Sequence, residues 1–190
     1  AWVENAFFMI KDDVSVASPG VISLDQGVLV EIDPDSTGLS SVQQAKLDEA
    51  ANKGWYLKFG SGVHKKEQVV TSAVVVFGVV TFSTHAPSTP NSNSCSTNLG
   101  TARVYNIQYA SANPVGSVRY QPIEGGGLPP SPVAGMVTVA KPGGSDTTGT
   151  TMTVPFLIGG DPKSPIEVKL PTNPVGLATH KARVYWYIQQ

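Results

Sequence analysis

The sequence predicts an all-β protein, and within that class the terminal blades of a β-propeller carrying one short surface helix. Two stretches repeat each other. RVYNIQY begins at Arg103 and RVYWYIQ at Arg183, and each follows an apolar stretch headed by a serine, Ser72 or Ser131. Such self-similarity indicates a structural unit that is copied and stacked. The 19 glycines, 15 prolines and 14% charged residues are typical of short strands joined by many turns.

Residues 1–66 are predicted to hold leading strands and the helix. Residues 6–10 (AFFMI) and 28–32 read as short buried strands, and Asp33-Pro34-Asp35 ends the second of them. Residues 55–59 alternate and are rich in aromatic side chains, so they predict a third strand.

The helix is predicted over residues 40–53. Ser40 or Ser41 can cap it, because a serine oxygen accepts a hydrogen bond from an otherwise unpaired backbone N–H. Gly54 can supply a left-handed stop at its carboxyl end. The stretch has few large apolar residues, which indicates a helix lying on the surface.

Residues 67–124 are predicted to form the penultimate blade, a small antiparallel sheet. Gly78 marks the turn of one hairpin, and Asn113-Pro114-Val115-Gly116 lies in the turn of the next. β-branched residues dominate the flanking runs, as expected of strands. The predicted strands are residues 69–77, 79–84, 103–109 and 117–123.

Residues 125–190 are predicted to form the last blade, which is incomplete. Residues 133–139, 152–158 and 183–189 supply three strands, and a fourth is missing. The chain therefore accounts for roughly two blades, whereas a closed propeller needs at least about four. We expect the remaining blades of the same propeller, elsewhere in a longer protein, to pair with its exposed edges.

Composition excludes some classes of partner. The net charge of −1 argues against nucleic acid, whose phosphates require a basic face. No apolar run reaches the roughly 18 residues of a membrane span. The chain begins at Ala1 without methionine or a signal peptide, so we expect a processed protein or a piece of a longer one. Cys95 stands alone in a polar loop, which indicates an unpaired thiol or a partner elsewhere.

The residues that could carry chemistry favour structural roles, so no catalytic residue is predicted. His64, His85 and His180 are scattered near loops and are expected to face solvent, without the spacing of zinc ligands. Ser72 and Ser131 recur with the repeat and lack a G-x-S-x-G elbow, which indicates a role at strand starts. The remaining candidates are Gly125–Gly127, expected to make a tight connection between blades, and the stripe Tyr185, Trp186 and Tyr187, expected to pack within a strand.

Six linked blocks lie between residues 54 and 190: GWYLKF from Gly54, EQVVTSAVVVFGVVTFSTHAP from Glu67, CSTNLGTARVYNIQY from Cys95, GGGLPPSPVAGMVTV from Gly125, PFLIGGDPKSPIE from Pro155 and RVYWYIQQ from Arg183. In sequence and in order these blocks resemble the C-terminal region of the PilC/PilY family, the tip-associated adhesins of bacterial type IV pili.

The resemblance implies a β-propeller, related to the quinoprotein type, at the end of a large exported protein. It also implies a non-catalytic role in pilus biogenesis, extension and retraction, twitching motility and cell adhesion. The expected location is the pilus tip, the outer-membrane surface or the extracellular space. The expected partners are minor pilins and a receptor on a host or abiotic surface. Residues 86–100 and 141–151, long polar loops between strands, are the predicted binding loops.

Calcium dependence is also implied for the family, and its calcium loop has alternating aspartates. The nearest approach here is Asp33, Asp35 and Thr37, which alternate before Gly38. However, Pro34 stiffens this stretch, and its twelfth position is Gln44 rather than a bidentate glutamate. The sequence therefore favours a turn before the helix, no cofactor within this chain, and any calcium site of the parent protein before Ala1.

Two other functions remain open. A quinoprotein enzyme would carry a tryptophan motif in each blade, but Trp2, Trp55 and Trp186 do not recur at one spacing. A free-standing carbohydrate-binding β module would require the chain to fold alone.

Overall fold

The computed structural model describes residues 4–12, 27–76, 78–88, 99–140 and 151–160. These residues are mostly β with one helix, so the predicted all-β class is confirmed. Within these ranges the strands form three sheets and no closed ring, and the propeller stays a prediction. The strands are β1 (Asn5–Ile10), β2 (Leu29–Ile32), β3 (Gly54–Phe59), β4 (Gln68–Val69), β5 (Val74–Val76), β6 (Val79–Ala86), β7 (Thr101–Gln108), β8 (Tyr120–Ile123), β9 (Val133–Ala140) and β10 (Thr151–Ile158).

The first sheet, sheet A, has the order β1-β3-β2 and contains both pairing directions. β1 runs antiparallel to β3, with Asn5 opposite Phe59. β2 runs parallel to β3, with Leu29 opposite Gly54. Parallel neighbours need a crossover connection, which the helix between β2 and β3 supplies. All three predicted strands of the leading segment are confirmed, but the sequence analysis did not foresee the parallel pair.

Helix α1 spans Ser41–Asp48 and is shorter than the predicted 40–53. Ser40 is the N-cap, and Ser40 and Gln43 exchange hydrogen bonds in a capping box. The predicted role of Gly54 is wrong. Glu49 ends the helix, and Gly54, at φ +130°, opens β3 beside the backbone of Met9. Leu47 is the buried residue of the helix, which otherwise lies on the surface as predicted.

The assignment of Ser40 as the N-cap of α1 can be tested by substitution, with the neighbouring Ser41 as the control. Ser40→Ala removes the oxygen that accepts the Gln43 N–H at 3.2 Å. We expect it to lower the free energy of unfolding by about 1 kcal/mol. Ser41→Ala should stay within about 0.5 kcal/mol of the parent, because alanine is a good helix former and Ser41 does not cap. Urea denaturation measures both, and equal effects would contradict the assignment of Ser40.

The second sheet, sheet B, has the order β4-β6-β7-β8, with β5 also paired to β6. Both predicted hairpins are confirmed. Val76 lies opposite Val79 across a turn in which Gly78 has φ +79°. The predicted strand 69–77 is broken between β4 and β5. There the Thr71 hydroxyl accepts the N–H of Ser83 at 2.8 Å in place of a backbone partner.

The third sheet, sheet C, is the antiparallel hairpin β9–β10, in which Val133 lies opposite Ile158. Ser72 lies two residues before β5, and Ser131 lies two residues before β9. In both places the serine therefore lies just before a hairpin, and that the two hairpins belong to repeated blades stays a prediction. Residues 183–189, the predicted third strand of this sheet, lie outside the described residues.

Sheets A and B pack face to face around one core. The ring of Phe82 stacks on Phe7 across the interface and on Tyr105 within sheet B. Phe82 lies 4.0 Å from Phe7 and 5.0 Å from Tyr105 between ring centroids. The strongly buried apolar residues of this core are Val30, Ile32, Leu47, Trp55, Leu57, Phe59, Val80, Phe82, Tyr105, Ile107 and Ala112.

Candidate functional site

The inward face of sheet B changes from apolar to polar along its strands. Phe82 lies opposite Tyr105, and the next inward pair is Thr84 opposite Arg103. Glu67, which precedes β4, is fully buried beside this polar row. A buried carboxylate without partners is strongly destabilising, so its contacts decide what this region can do.

Glu67 accepts hydrogen bonds on both carboxylate oxygens. Oε1 accepts from the hydroxyl of Tyr105 at 2.9 Å and from the hydroxyl of Thr84. Oε2 lies 3.0 Å from Nη1 of Arg103 and 2.6 Å from Nδ1 of His64. The burial of Glu67 is therefore compensated by a guanidinium, an imidazole and two hydroxyls.

A tight connection between the sheets positions His64 and Glu67. The 3-10 turn Gly62–His64 follows β3, and the N–H of Glu67 donates to the carbonyl of His64 at 3.1 Å. Lys66 has φ +67°, a left-handed conformation that reverses the chain between the two side chains. Arg103 anchors the same turn, because its Nη2 donates to the carbonyl of Val63 at 3.1 Å.

Asp35 closes the outer side of this site. Its Oδ1 accepts from the hydroxyl of Tyr120 at 2.8 Å and lies 3.0 Å from Nε2 of His64. The imidazole also meets the ring of Tyr120 edge-on at 4.9 Å, and the guanidinium of Arg103 lies 5.4 Å from the same ring centroid. We name Asp35, His64, Glu67, Thr84, Arg103, Tyr105 and Tyr120 the Glu67 cluster.

Charge pairing sets the ionisation of the cluster. Burial alone would raise the pKa of Glu67, but hydrogen bonds from His64 and Thr84 and the charge of Arg103 lower it overall. The pKa of Asp35 is likewise lowered, since bonds from His64 and Tyr120 outweigh its burial. Burial disfavours the His64 cation, yet its two carboxylate partners raise its pKa overall. Burial and the adjacent Glu67 raise the pKa of Tyr105.

Arg119 fastens the turn that carries Asp35. Its Nε donates to the carbonyl of Ala112 at 2.9 Å, and its Nη1 donates to the carbonyl of Asp33 at 3.2 Å. Nη1 also contacts the carbonyl and, at 2.5 Å, the hydroxyl of Ser36. Arg119 is buried, and burial lowers its pKa. One buried side chain thus joins sheet B to the segment between β2 and α1.

Asp33, Asp35 and Thr37 form a turn, as the sequence favoured. The N–H of Ser36 donates to the carbonyl of Asp33, and the N–H of Asp35 donates to Oδ1 of Asp33 at 3.0 Å. Thr37 is exposed. Among the described residues, no three His, Cys, Asp or Glu side chains converge as metal ligands would. Asp35 instead contributes to the Glu67 cluster.

The expectation that His64 faces solvent is wrong, because its side chain is only 3% exposed. His85 is half-buried, and its Nε2 lies 2.8 Å from the carbonyl of Leu99. His180 lies outside the described residues. The sequence analysis also missed Glu67 and Arg103. The available signal was Arg103, a charged residue at a core-facing strand position. Charged residues are seldom buried unpaired, so Arg103 pointed to a buried anion near it.

The predicted binding loops are described only at their bases. Ala86 pairs with Thr101 and Ala140 pairs with Thr151, so each loop leaves and rejoins adjacent strands. Gly125–Gly127 make a tight turn, and the prediction that this turn connects two blades stays a prediction. All three glycines have positive φ, and the N–H of Gly127 donates to the carbonyl of Leu99 at 3.2 Å. Cys95 and the stripe Tyr185, Trp186 and Tyr187 lie outside the described residues.

Comparisons with known proteins add no assignment. No protein-family model, curated protein or solved structure matched the chain. No helix in the described part of the chain is long and apolar enough to cross a membrane. What the protein does is therefore inferred from its own residues and contacts.

Proposed function

We propose that this chain belongs to a non-catalytic protein of type IV pilus biogenesis and adhesion, exported to the pilus tip or the outer-membrane surface. There the protein contributes to attachment and to the balance of extension and retraction behind twitching motility. The chain supplies terminal blades of a β-propeller, and the remaining blades cover its unpaired edges. Its further partners are minor pilins and a receptor on a host or abiotic surface.

The observation that carries this proposal is the match between the sequence blocks and the strands. GWYLKF, which resembles the PilC/PilY family, occupies the whole of β3. The block from Glu67 runs through β4, β5 and β6, and the block from Gly125 runs into β9. These three blocks thus each lie on strands, one block in each of sheets A, B and C, which supports treating them as parts of a folded β structure rather than as isolated short motifs.

The Glu67 cluster supports a structural role. His64 and Glu67 bond each other, and both are also engaged by groups from sheet B or the Asp35 turn. Arg103 and Tyr105 are buried with them. Side chains held in this way stabilise the junction of sheets A and B, and recognition is left to loops on the resulting scaffold.

The location can be tested in the bacterium that encodes the chain. Antibodies against these 190 residues, used in immunogold microscopy, should label pilus tips or the outer surface. Deletion of the encoding gene should reduce piliation, twitching and attachment. Labelling confined to the cytoplasm, together with unchanged piliation, would contradict the proposal.

Recognition by the β9–β10 loop can be separated from folding. Residues 141–150 can be replaced by Asn-Gly, because Ala140 and Thr151 are paired and a two-residue turn can join them. We expect the free energy of unfolding to stay the same or rise by about 1 kcal/mol, since a shorter loop costs less entropy to close. Attachment of the bacterium should fall.

A Gly/Ser loop of the original length is the control, because it keeps the spacing and removes the side chains. It should lose attachment as the Asn-Gly variant does. An unfolded Asn-Gly variant would contradict the loop assignment, and full attachment by both variants would exclude this loop from recognition. Circular dichroism and attachment counts provide the two measurements.

A further inference from the structure

His64 has an arrangement that a neutral imidazole cannot satisfy. Nδ1 lies 2.6 Å from Oε2 of Glu67, and Nε2 lies 3.0 Å from Oδ1 of Asp35. A neutral imidazole carries one N–H and one lone pair, so one nitrogen would present its lone pair to a carboxylate oxygen. The imidazolium donates from both nitrogens. The contacts therefore favour a protonated His64 in a nearly buried position.

The surrounding charges balance only with that proton in place. The 33–36 turn contributes Asp35, and the connection before β4 contributes Glu67. Strand β7 contributes Arg103, whose charge offsets one of the two carboxylates. Tyr105 and Tyr120 face the site as neutral hydroxyl donors. Without the proton on His64, two carboxylates would share one cation.

The two sides of the imidazole differ in their access to water. Glu67 is fully buried, whereas the side chain of Asp35 is 52% exposed. A carboxylate that reaches water can separate from its partner at much lower cost than a buried one. When a proton is lost, the N–H facing Glu67 is therefore retained and the bond to Asp35 breaks.

We propose that His64 is a proton-operated latch that holds the turn of residues 33–36 against sheet B. With both nitrogens protonated, His64 joins Asp35 to Glu67 and the turn is closed. Loss of the Nε2 proton breaks the bond between His64 and Asp35, and the turn loosens, held then by the Tyr120 hydroxyl, which donates to Asp35, and by Arg119. This consequence rests on the proposed function: exported to the cell surface, the protein meets the pH of the outside medium directly, and the turn responds to that pH.

The direction of the response follows from the shifts in pKa. The pKa of His64 is raised, so its contribution is complete below the ordinary value of about 6.5 and is lost as pH rises through the higher folded value. The pKa values of Asp35 and Glu67 are lowered, so their contribution is lost only at acidic pH, below their ordinary values. The latch is therefore closed in mildly acidic solution and opens towards alkaline pH.

The test is an NMR titration of the full chain that follows the imidazole nitrogens of His64 and the hydrogen exchange of the Asp35 and Ser36 amides. We expect both nitrogens to be protonated at pH 6, with a midpoint above about 6.5. Protection of the two amides, corrected for intrinsic exchange, should fall several-fold across that midpoint. Asp35→Asn should lower the midpoint and abolish the change in protection.

Glu31→Gln is the control, because it removes a carboxylate that bonds Tyr56 rather than His64. It should leave both the midpoint and the protection profile unchanged. A His64 that is neutral at pH 6 would overturn the proposal. So would turn protection that is independent of pH in the parent chain, or an Asp35→Asn variant that keeps the pH dependence of the parent.

Discussion

Replacing Glu67 with glutamine is expected to lower the free energy of unfolding by about 3 kcal/mol. Glutamine has nearly the same shape, so the loss comes from charge rather than from a cavity. Nη1 of Arg103 and Nδ1 of His64 both face Oε2 of this side chain. Without the carboxylate, the buried guanidinium of Arg103 loses its ion-pair partner, and within the Glu67 cluster only the half-exposed Asp35 remains as an anion.

The matched control is Glu4→Gln. Glu4 pairs with Lys58 at 2.9 Å on the surface, where screening by water leaves an ion pair contributing little to stability. Urea denaturation near pH 6 gives the comparison. It requires that the free energy of unfolding fall with urea concentration at the same slope in the parent, Glu67→Gln and Glu4→Gln. Equal losses for the two variants would mean that the Glu67 cluster contributes no more than a surface pair.

Replacing Gly54 with alanine is expected to destabilise the chain by about 3 kcal/mol or to prevent folding. Gly54 has φ +130°, a conformation that side chains rarely adopt. An added Cβ would lie 1.9 Å from the carbonyl oxygen of Met9, which belongs to the neighbouring strand. Because backbone cannot move aside as a side chain can, β1 must separate from β3 at this end.

Gly116→Ala is the control for this second substitution. A Cβ at Gly116 meets nothing within 4 Å, and its φ is not positive. The free energy of unfolding should therefore change by less than about 0.5 kcal/mol. A Gly54→Ala variant with the stability of the Gly116→Ala variant would refute the close approach of β1 to β3.

The sequence was sufficient to predict most of the strands, because their patterns are local. The short apolar run of residues 6–10, the alternation in residues 55–59 and the β-branched runs around Gly78 each correspond to an observed strand. The pairing of those strands was harder to foresee. A helix between two apolar strands is the pattern of a parallel crossover, but the sequence analysis did not draw the β2–β3 pair from it.

The Glu67 cluster could not be assembled from sequence, because its members are close only after folding. His64 and Asp35 are 29 positions apart, and Tyr105 and Glu67 are 38 apart. Histidine near a loop is ordinarily exposed, and this expectation failed because two carboxylates offset the burial of His64. Arg103 lies within an otherwise apolar strand. This was the local sign that a buried anion, Glu67, lies beside it.

Gly54 illustrates a second limit. A glycine after a helix commonly ends it in a left-handed conformation, so the sequence favoured that role. The helix ends five residues earlier than predicted, at Asp48 instead of Lys53, and the glycine serves the approach of β3 to β1. The local preference of glycine identified a position of positive φ. It could not identify the backbone of Met9, whose close approach requires a glycine there.

A double-mutant cycle on Glu67 and Arg103 tests most directly whether the Glu67 cluster joins the two sheets. Glu67→Gln and Arg103→Met each leave a buried charge without its partner, whereas the double variant removes both. We expect the double variant to be more stable than the sum of the two losses implies, by more than about 1 kcal/mol. Losses that add within about 0.5 kcal/mol would show that the pair is not coupled and would contradict this role for the cluster.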